Sequence, residues 1–145
     1  MTELELKVKA FMETTPFLME NGIVIDEVTK DGAVLRCKVR DNQKNPYGMI
    51  HGGLLFTIQD CCCGATARAD GRRYVTQNST INYLSSGRGG EITARSKVIK
   101  RGRSSCVIET EVTDEQGRLL SGAVTTMFCL GEDQQFRDEG NHGPD

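Results

Sequence analysis

Apolar residues at Leu4, Val8, Phe11 and Met12 recur at helical spacing and predict a short amphipathic helix over residues 3–13, halted near Pro16. Residues 23–28 read as a strand and Lys30-Asp31-Gly32 as a turn. In the next strand, 33–40, Ala33, Leu35, Cys37 and Val39 alternate with Val34, Arg36, Lys38 and Arg40, so one face is wet. The stretch 45–64, NPYGMIHGGLLFTIQDCCCG, passes from turn to helix. Pro46 and Gly48 favour a tight loop, so the helix is expected to begin near Ile50 or His51 and to fade around Asp70-Gly71, a length of about 18 residues. Strand patterns then resume at 74–84, 91–100, 106–112 and 119–130, separated by turns at 85–90, Arg101-Gly102-Arg103 and 114–117.

Two strands, one long helix and a four-strand meander predict a single α+β domain with an antiparallel sheet. Gly, Ala and Cys along the helix suit one that a strongly curved sheet wraps closely. The expected division is a helical segment over 1–16 packing on the domain, the domain itself over 17–131, and a polar, glycine-bearing tail over 132–145 expected to be disordered.

With 145 residues, 26% charged and 37% apolar, the chain has the size and balance of one globular domain. No apolar run approaches a membrane span, and the N-terminus lacks an apolar signal core, so no membrane partner and a cytoplasmic location are expected. A net charge of −2 argues against general nucleic-acid binding. Cysteines at 37, 61, 62, 63, 106 and 129 lack paired C-x-x-C spacing and read as small buried residues. His51 and His142 are the two histidines, the latter in the tail, so a metal site is short of ligands and none is expected.

Candidate chemistry gathers at the helix. Gly52 and Gly53 would each cost about 1 kcal/mol relative to alanine in a helix interior, so their pairing in a first turn indicates that something approaches the backbone there. Unpaired amides of a first turn can bind a carbonyl oxygen as it becomes an oxyanion. Asp60 is a lone carboxylate between Leu54, Leu55, Phe56 and Ile58 on one side and Cys61, Cys62, Cys63 and Ala65 on the other. His51 and Asp60 lie on opposite sides of the axis and about 13 Å apart along it, so they serve different purposes or two chains bring them together. A two-fold dimer does the latter by laying two copies of the helix side by side. The alternatives are structural: a satisfied carboxylate at Asp60, a helix-start hydrogen bonder at His51, and a turn former at Asn45.

The pattern Asn45-x-x-Gly48-x-x-His51-Gly52-Gly53, then Asp60, then Thr80-Ile81-Asn82-Tyr83-Leu84, resembles the hot-dog fold acyl-CoA thioesterases of the PaaI type, over roughly residues 23–131. That resemblance implies Asp60 as nucleophile or general base. It also implies Gly52 as the N–H donor to the thioester oxygen, His51 as an orienting group, Asn45 near the attacking group or water, and Thr76 as a hydroxyl that positions water or the carboxylate. A homodimer with composite sites, sometimes doubled into a tetramer, is implied too, with an acyl-CoA substrate and no cofactor besides its CoA. Gly53 and Leu54 are expected at the substrate, with Leu55, Ile58 and the partner helix around the acyl end. Arg88, Lys100, Arg101 and Arg103 are the expected cations for the CoA phosphates, with Arg72 and Arg73 ranked below them. A non-catalytic acyl-CoA sensor and a hot-dog hydratase or dehydratase are the competing readings.

Overall fold

The computed structural model describes residues 1–137; positions 138–145 of the expected tail, His142 among them, lie outside the described residues. Helix α1 spans Glu3–Glu13. The Thr2 hydroxyl accepts from the Glu5 N–H at 3.1 Å while Glu5 Oε1 accepts from the Thr2 N–H at 2.7 Å, a reciprocal cap. Glu5 Oε2 also accepts from the Lys30 N–H at 2.8 Å, which docks the helix on the first strand turn. Pro16 does more than halt α1. It occupies the first position of a second short helix, α2 (Pro16–Glu20), where its missing N–H would be unpaired anyway.

The remaining elements are β1 (Ile23–Val28), β2 (Ala33–Lys38), α3 (Gly52–Arg68), β3 (Arg72–Tyr83), β4 (Glu91–Arg101), β5 (Ser105–Thr113) and β6 (Leu119–Glu132). The strands form one sheet in the order β1-β2-β4-β5-β6-β3, antiparallel throughout. An α+β domain around one long helix is therefore observed, but the four-strand meander is not. Only β4, β5 and β6 follow one another; β3 pairs along β6, from Arg72 opposite Glu132 to Tyr83 opposite Ser121, and β2 takes the place beside β4. The segment after β3 explains the difference. Leu84 and Ser85 N–H groups donate to Leu120 O, and Gly87 O accepts from Ile50 N–H at 2.7 Å, so the chain crosses the start of α3 instead of turning back on β3.

α3 touches every strand, which requires the sheet to curve around it. Its sheet-facing side is built from Ile58, Cys62 and Ala65, all fully buried. The Cys62 thiol donates to Ala33 O at 3.4 Å and lies 3.6 Å from Ala94 O, a close approach to two strands that a larger side chain would prevent. Burial pushes the Cys61 and Cys62 thiols up to about 12, so both stay protonated and behave as packing groups. No helix among the described residues is long and apolar enough to cross a membrane.

At the C-terminal side, β6 runs to Glu132 and a 3-10 turn follows at Gln134–Phe136. The Phe136 ring meets Phe11 of α1 edge-on, with centroids 5.6 Å apart. Residues 132–137 thus depart from the disorder expected of them, because Phe136 has an apolar partner that a polar tail would lack.

Candidate active site

Asp60 lies in the middle of α3, half-buried, on the flank turned away from the core residues above. The Thr76 hydroxyl donates to its Oδ1 at 2.7 Å, and Oδ2 is left without a protein donor among the described residues. Thr76 reaches that position through an irregularity in β3. Register shifts between Thr76, opposite Met127, and Asn78, opposite Thr126, leaving Gln77 as an extra residue. Before the bulge, Tyr74 and Thr76 face α3; beyond it, the parity changes and Ser79 and Tyr83 face it. Ser79 Oγ accepts from Gln59 Nε2 at 3.1 Å, and Gln59 Oε1 accepts from the Thr125 hydroxyl at 3.1 Å. Gln59 is fully buried and fixes the rotation of the helix next to Asp60.

A cavity of about 540 Å³ opens beside Asp60, walled by Met12 of α1, Leu18 of α2, and Tyr74, Thr76 and Met127 of the sheet. Arg68 also lines it, as do Gly64 and Arg73. Asp60, Gly64 and Arg68 stand at i, i+4 and i+8 and share one helix face. Arg68 extends back along α3 so that a methyl group on Gly64 would collide with its Nη1. Sequence reasoning missed this stripe, although the eight-residue spacing of the only two charged positions in the helix, with Gly64 midway between them, was the signal that carried it.

The helix start holds the other expected groups. His51 caps α3, its Nδ1 accepting from the Gly53 N–H at 2.8 Å, which places its proton on Nε2 when the ring is neutral. The Gly52 N–H has no acceptor among the described residues. A Cβ on Gly52 would lie 3.3 Å from the Tyr83 ring, and one on Gly53 would lie 3.0 Å from His51 Nδ1, so these two side chains are what approach the backbone there. Asn45 serves its own turn: Oδ1 accepts from the Tyr47 and Met49 N–H groups at 2.9 and 3.0 Å.

Several expected contacts are redistributed. Leu54, Leu55 and Ile58 belong to the sealed core, so within the protomer they do not form an acyl pocket. Arg101 is withdrawn from the phosphate-binding set, because it donates to Ala67 O, Thr66 O, Lys30 O and Asp70 Oδ2, closing the C-terminal end of α3. Arg72 also pairs with Asp70 and donates to Arg103 O and Gly102 O. Burial alone raises the Asp70 carboxyl, but hydrogen bonds from Tyr74 and Arg72 and the Arg101 charge outweigh it and hold it below the usual range. Arg88 precedes β4 while Lys100 and Arg103 lie at its far end, so they form no single cluster. Arg88 instead lines a polar groove of about 740 Å³ with Lys44 and Arg118.

A sequence profile of the thioesterase superfamily matches residues 47–121. The 1,4-dihydroxy-2-naphthoyl-CoA hydrolase of Listeria monocytogenes is 31% identical over 102 residues, covering 68% of this chain and 83% of that protein. The acyl-coenzyme A thioesterase PaaI of Escherichia coli is 27% identical over 101 residues, 69% of this chain and 72% of that protein. The solved Escherichia coli PaaI structure superposes with a TM-score of 0.84 at 23% identity, over 89% of this chain and 95% of that one, and so shares the fold. A hypothetical thioesterase from Streptococcus pneumoniae, solved with coenzyme A, has a TM-score of 0.74 at 33% identity over 77% of this chain and 91% of its own. Variants of that pneumococcal protein replace an aspartate and a threonine with alanine. With the profile spanning more than half of its length and relatives above 30% identity covering 68% and 77% of it, the chain belongs to the thioesterase superfamily, as a hot-dog fold enzyme of the PaaI type.

Proposed function

We propose that the protein hydrolyses an acyl-CoA thioester to free acid and CoA at sites shared between two protomers. The observation that carries this reading is the Asp60 carboxylate, held by Thr76 at 2.7 Å beside an open cavity, its second oxygen without a protein donor among the described residues. As general base, Asp60 takes a proton from water while the hydroxide adds to the thioester carbonyl. The tetrahedral intermediate then expels CoA thiolate, which recovers the proton. As nucleophile, Asp60 attacks the carbonyl directly and water cleaves the resulting anhydride. Gly52 N–H receives the carbonyl oxygen, His51 holds the first turn in place, and Asn45 keeps its side-chain NH₂ available beyond its turn bonds. In the pneumococcal relative the two substituted residues stand sixteen positions apart, the separation of Asp60 and Thr76.

Two protomers are needed because Gly52 and Asp60 are about 12 Å apart along one axis. The outer edge of β3 supports such a dimer: it is twelve residues long, mostly exposed and, among the described residues, unpaired on the side away from β6. Edge-to-edge pairing of two β3 strands would bring two copies of α3 alongside each other, with Gly52 of one protomer near Asp60 of its partner. Arg88, Lys100 and Arg103, all exposed, remain the cations for the CoA phosphates. The relatives named as CoA thioester hydrolases support CoA as the carrier. The six free cysteines fit a reducing compartment such as the cytoplasm.

Release of free thiol from a panel of short, medium, long and aryl acyl-CoAs tests the activity; binding without release would make the protein a sensor. Mixing inactive His51→Ala and Asp60→Asn protomers tests the shared site. Each heterodimer regains one intact centre, and a mixture as inactive as its parents would contradict the arrangement.

A further inference from the structure

Arg68 is a guanidinium in the wall of the cavity beside Asp60, and the thioester mechanism above does not use it. It donates to Tyr74 O at 2.9 Å and pairs with no carboxylate within 4.0 Å among the described residues. A guanidinium has five N–H donors, so most of its capacity faces the cavity. Asp133 lines the same space, yet both of its carboxylate oxygens accept from Gln135, at 3.2 and 3.1 Å. Phe11, Met12, Leu18 and Met127 form apolar walls of the cavity, and Thr15, Arg73 and Gln135 add polar groups to its lining. Arg68 is half-buried; desolvation lowers its pKa and the nearby Asp60 charge raises it without a direct ion pair, and Gly64 is the residue that lets it fold back toward Asp60.

We infer that this cavity receives the acyl group and that Arg68 selects acyl chains ending in a second carboxylate, such as short dicarboxylic acyl-CoAs. This rests on the thioesterase reading given above. The guanidinium lies over Gly64, one helical turn or about 6 Å along α3 from Asp60. A thioester carbonyl at Asp60 would therefore place the terminal carboxylate of a glutaryl-length chain at the Arg68 fork, where two parallel N–H···O bonds form. Because Asp60 lies between the helix start and this point, the CoA portion leaves toward the opposite end of the cleft.

The test compares kcat/KM for glutaryl-CoA with that for pentanoyl-CoA, a neutral chain of equal carbon number. The wild-type protein is expected to favour glutaryl-CoA, and Arg68→Met to lower the glutaryl-to-pentanoyl ratio by about 30-fold, as the loss of a charge-assisted pair predicts. Arg68→Lys should fall between them, since it keeps the charge without the fork. Gly64→Ala, which displaces the guanidinium without deleting it, should move the ratio in the same direction. Thermal unfolding of each variant confirms that it is folded. A wild-type preference for the neutral chain, or an equal loss on both substrates in Arg68→Met, overturns the inference while leaving the hydrolase intact. Absence of release from every acyl-CoA overturns the hydrolase reading itself, and the inference with it.

Discussion

Two arginines meet the second half of the central helix and are used in opposite ways. Arg101 arrives from β4 and distributes its N–H groups over three backbone carbonyls and the Asp70 carboxylate. Arg68 belongs to the helix itself, donates to one carbonyl and presents the rest of its fork to a cavity. Their charge is the same. What separates a structural cation from one able to recognise a ligand is how many of its donors the fold has already satisfied. The same contrast extends to the carboxylates: among the described residues Asp70 accepts from Tyr74, Arg72 and Arg101, whereas Asp60 accepts from Thr76 alone.

If this division holds, substitutions on the open flank change turnover with little effect on stability, and substitutions in the saturated cluster do the reverse. The largest effect is expected at Asp60. Asp60→Asn should lower kcat on any accepted acyl-CoA by at least about a hundredfold, with CoA binding retained and the unfolding midpoint nearly unchanged. Steady-state kinetics beside a denaturant titration checks both halves.

In the saturated cluster, Arg101→Met leaves Asp70 and three carbonyls short of donors and should destabilise the fold by about 3 kcal/mol, at the lower end for a broken buried pair. Urea titration measures this, and KM for CoA substrates should stay within about twofold if Arg101 does not touch the phosphates. The cluster also has an acid signature. Since Asp70 is held below its usual value, its contribution is complete above the unfolded value of about 3.9 and is lost as pH falls through the folded one. Asp70→Asn should accordingly flatten the acid limb of a stability-against-pH curve, a change absent from Asp60→Asn.

The smallest effect is expected where the open flank is steadied. Thr76→Val removes the hydroxyl that donates to Asp60 and should reduce kcat about tenfold, with Thr76→Ser recovering most of it. Equal loss in both variants would mean that the methyl group, not the hydroxyl, matters at that position.

Much of this was legible along the chain, for a local reason. The span of α3, its start at the glycine pair, the strand positions and the isolated carboxylate at Asp60 follow from periodicity and from turn residues acting within a few positions of one another. Thr76 entered only through the family pattern, since nothing local distinguishes it from the other hydroxyls of β3. Arg101 looked like a free cation because sequence shows a charge but not its partners. Asn45 was left between two roles, and the protomer shows its side-chain oxygen committed to the turn.

The amino-acid order by itself determined which segments coil, which extend, and that one helix carries small residues on one side and an acid on another. Tertiary structure alone decided that β3 pairs with β6, that an extra Gln77 turns Thr76 toward Asp60, and that Arg68 faces space while Arg101 does not. The physical reason is range. Helix and strand preferences arise between residues near each other in the chain, whereas pairing partners, bulge parity and the saturation of a guanidinium depend on groups tens of positions away that meet only when the sheet closes around the helix.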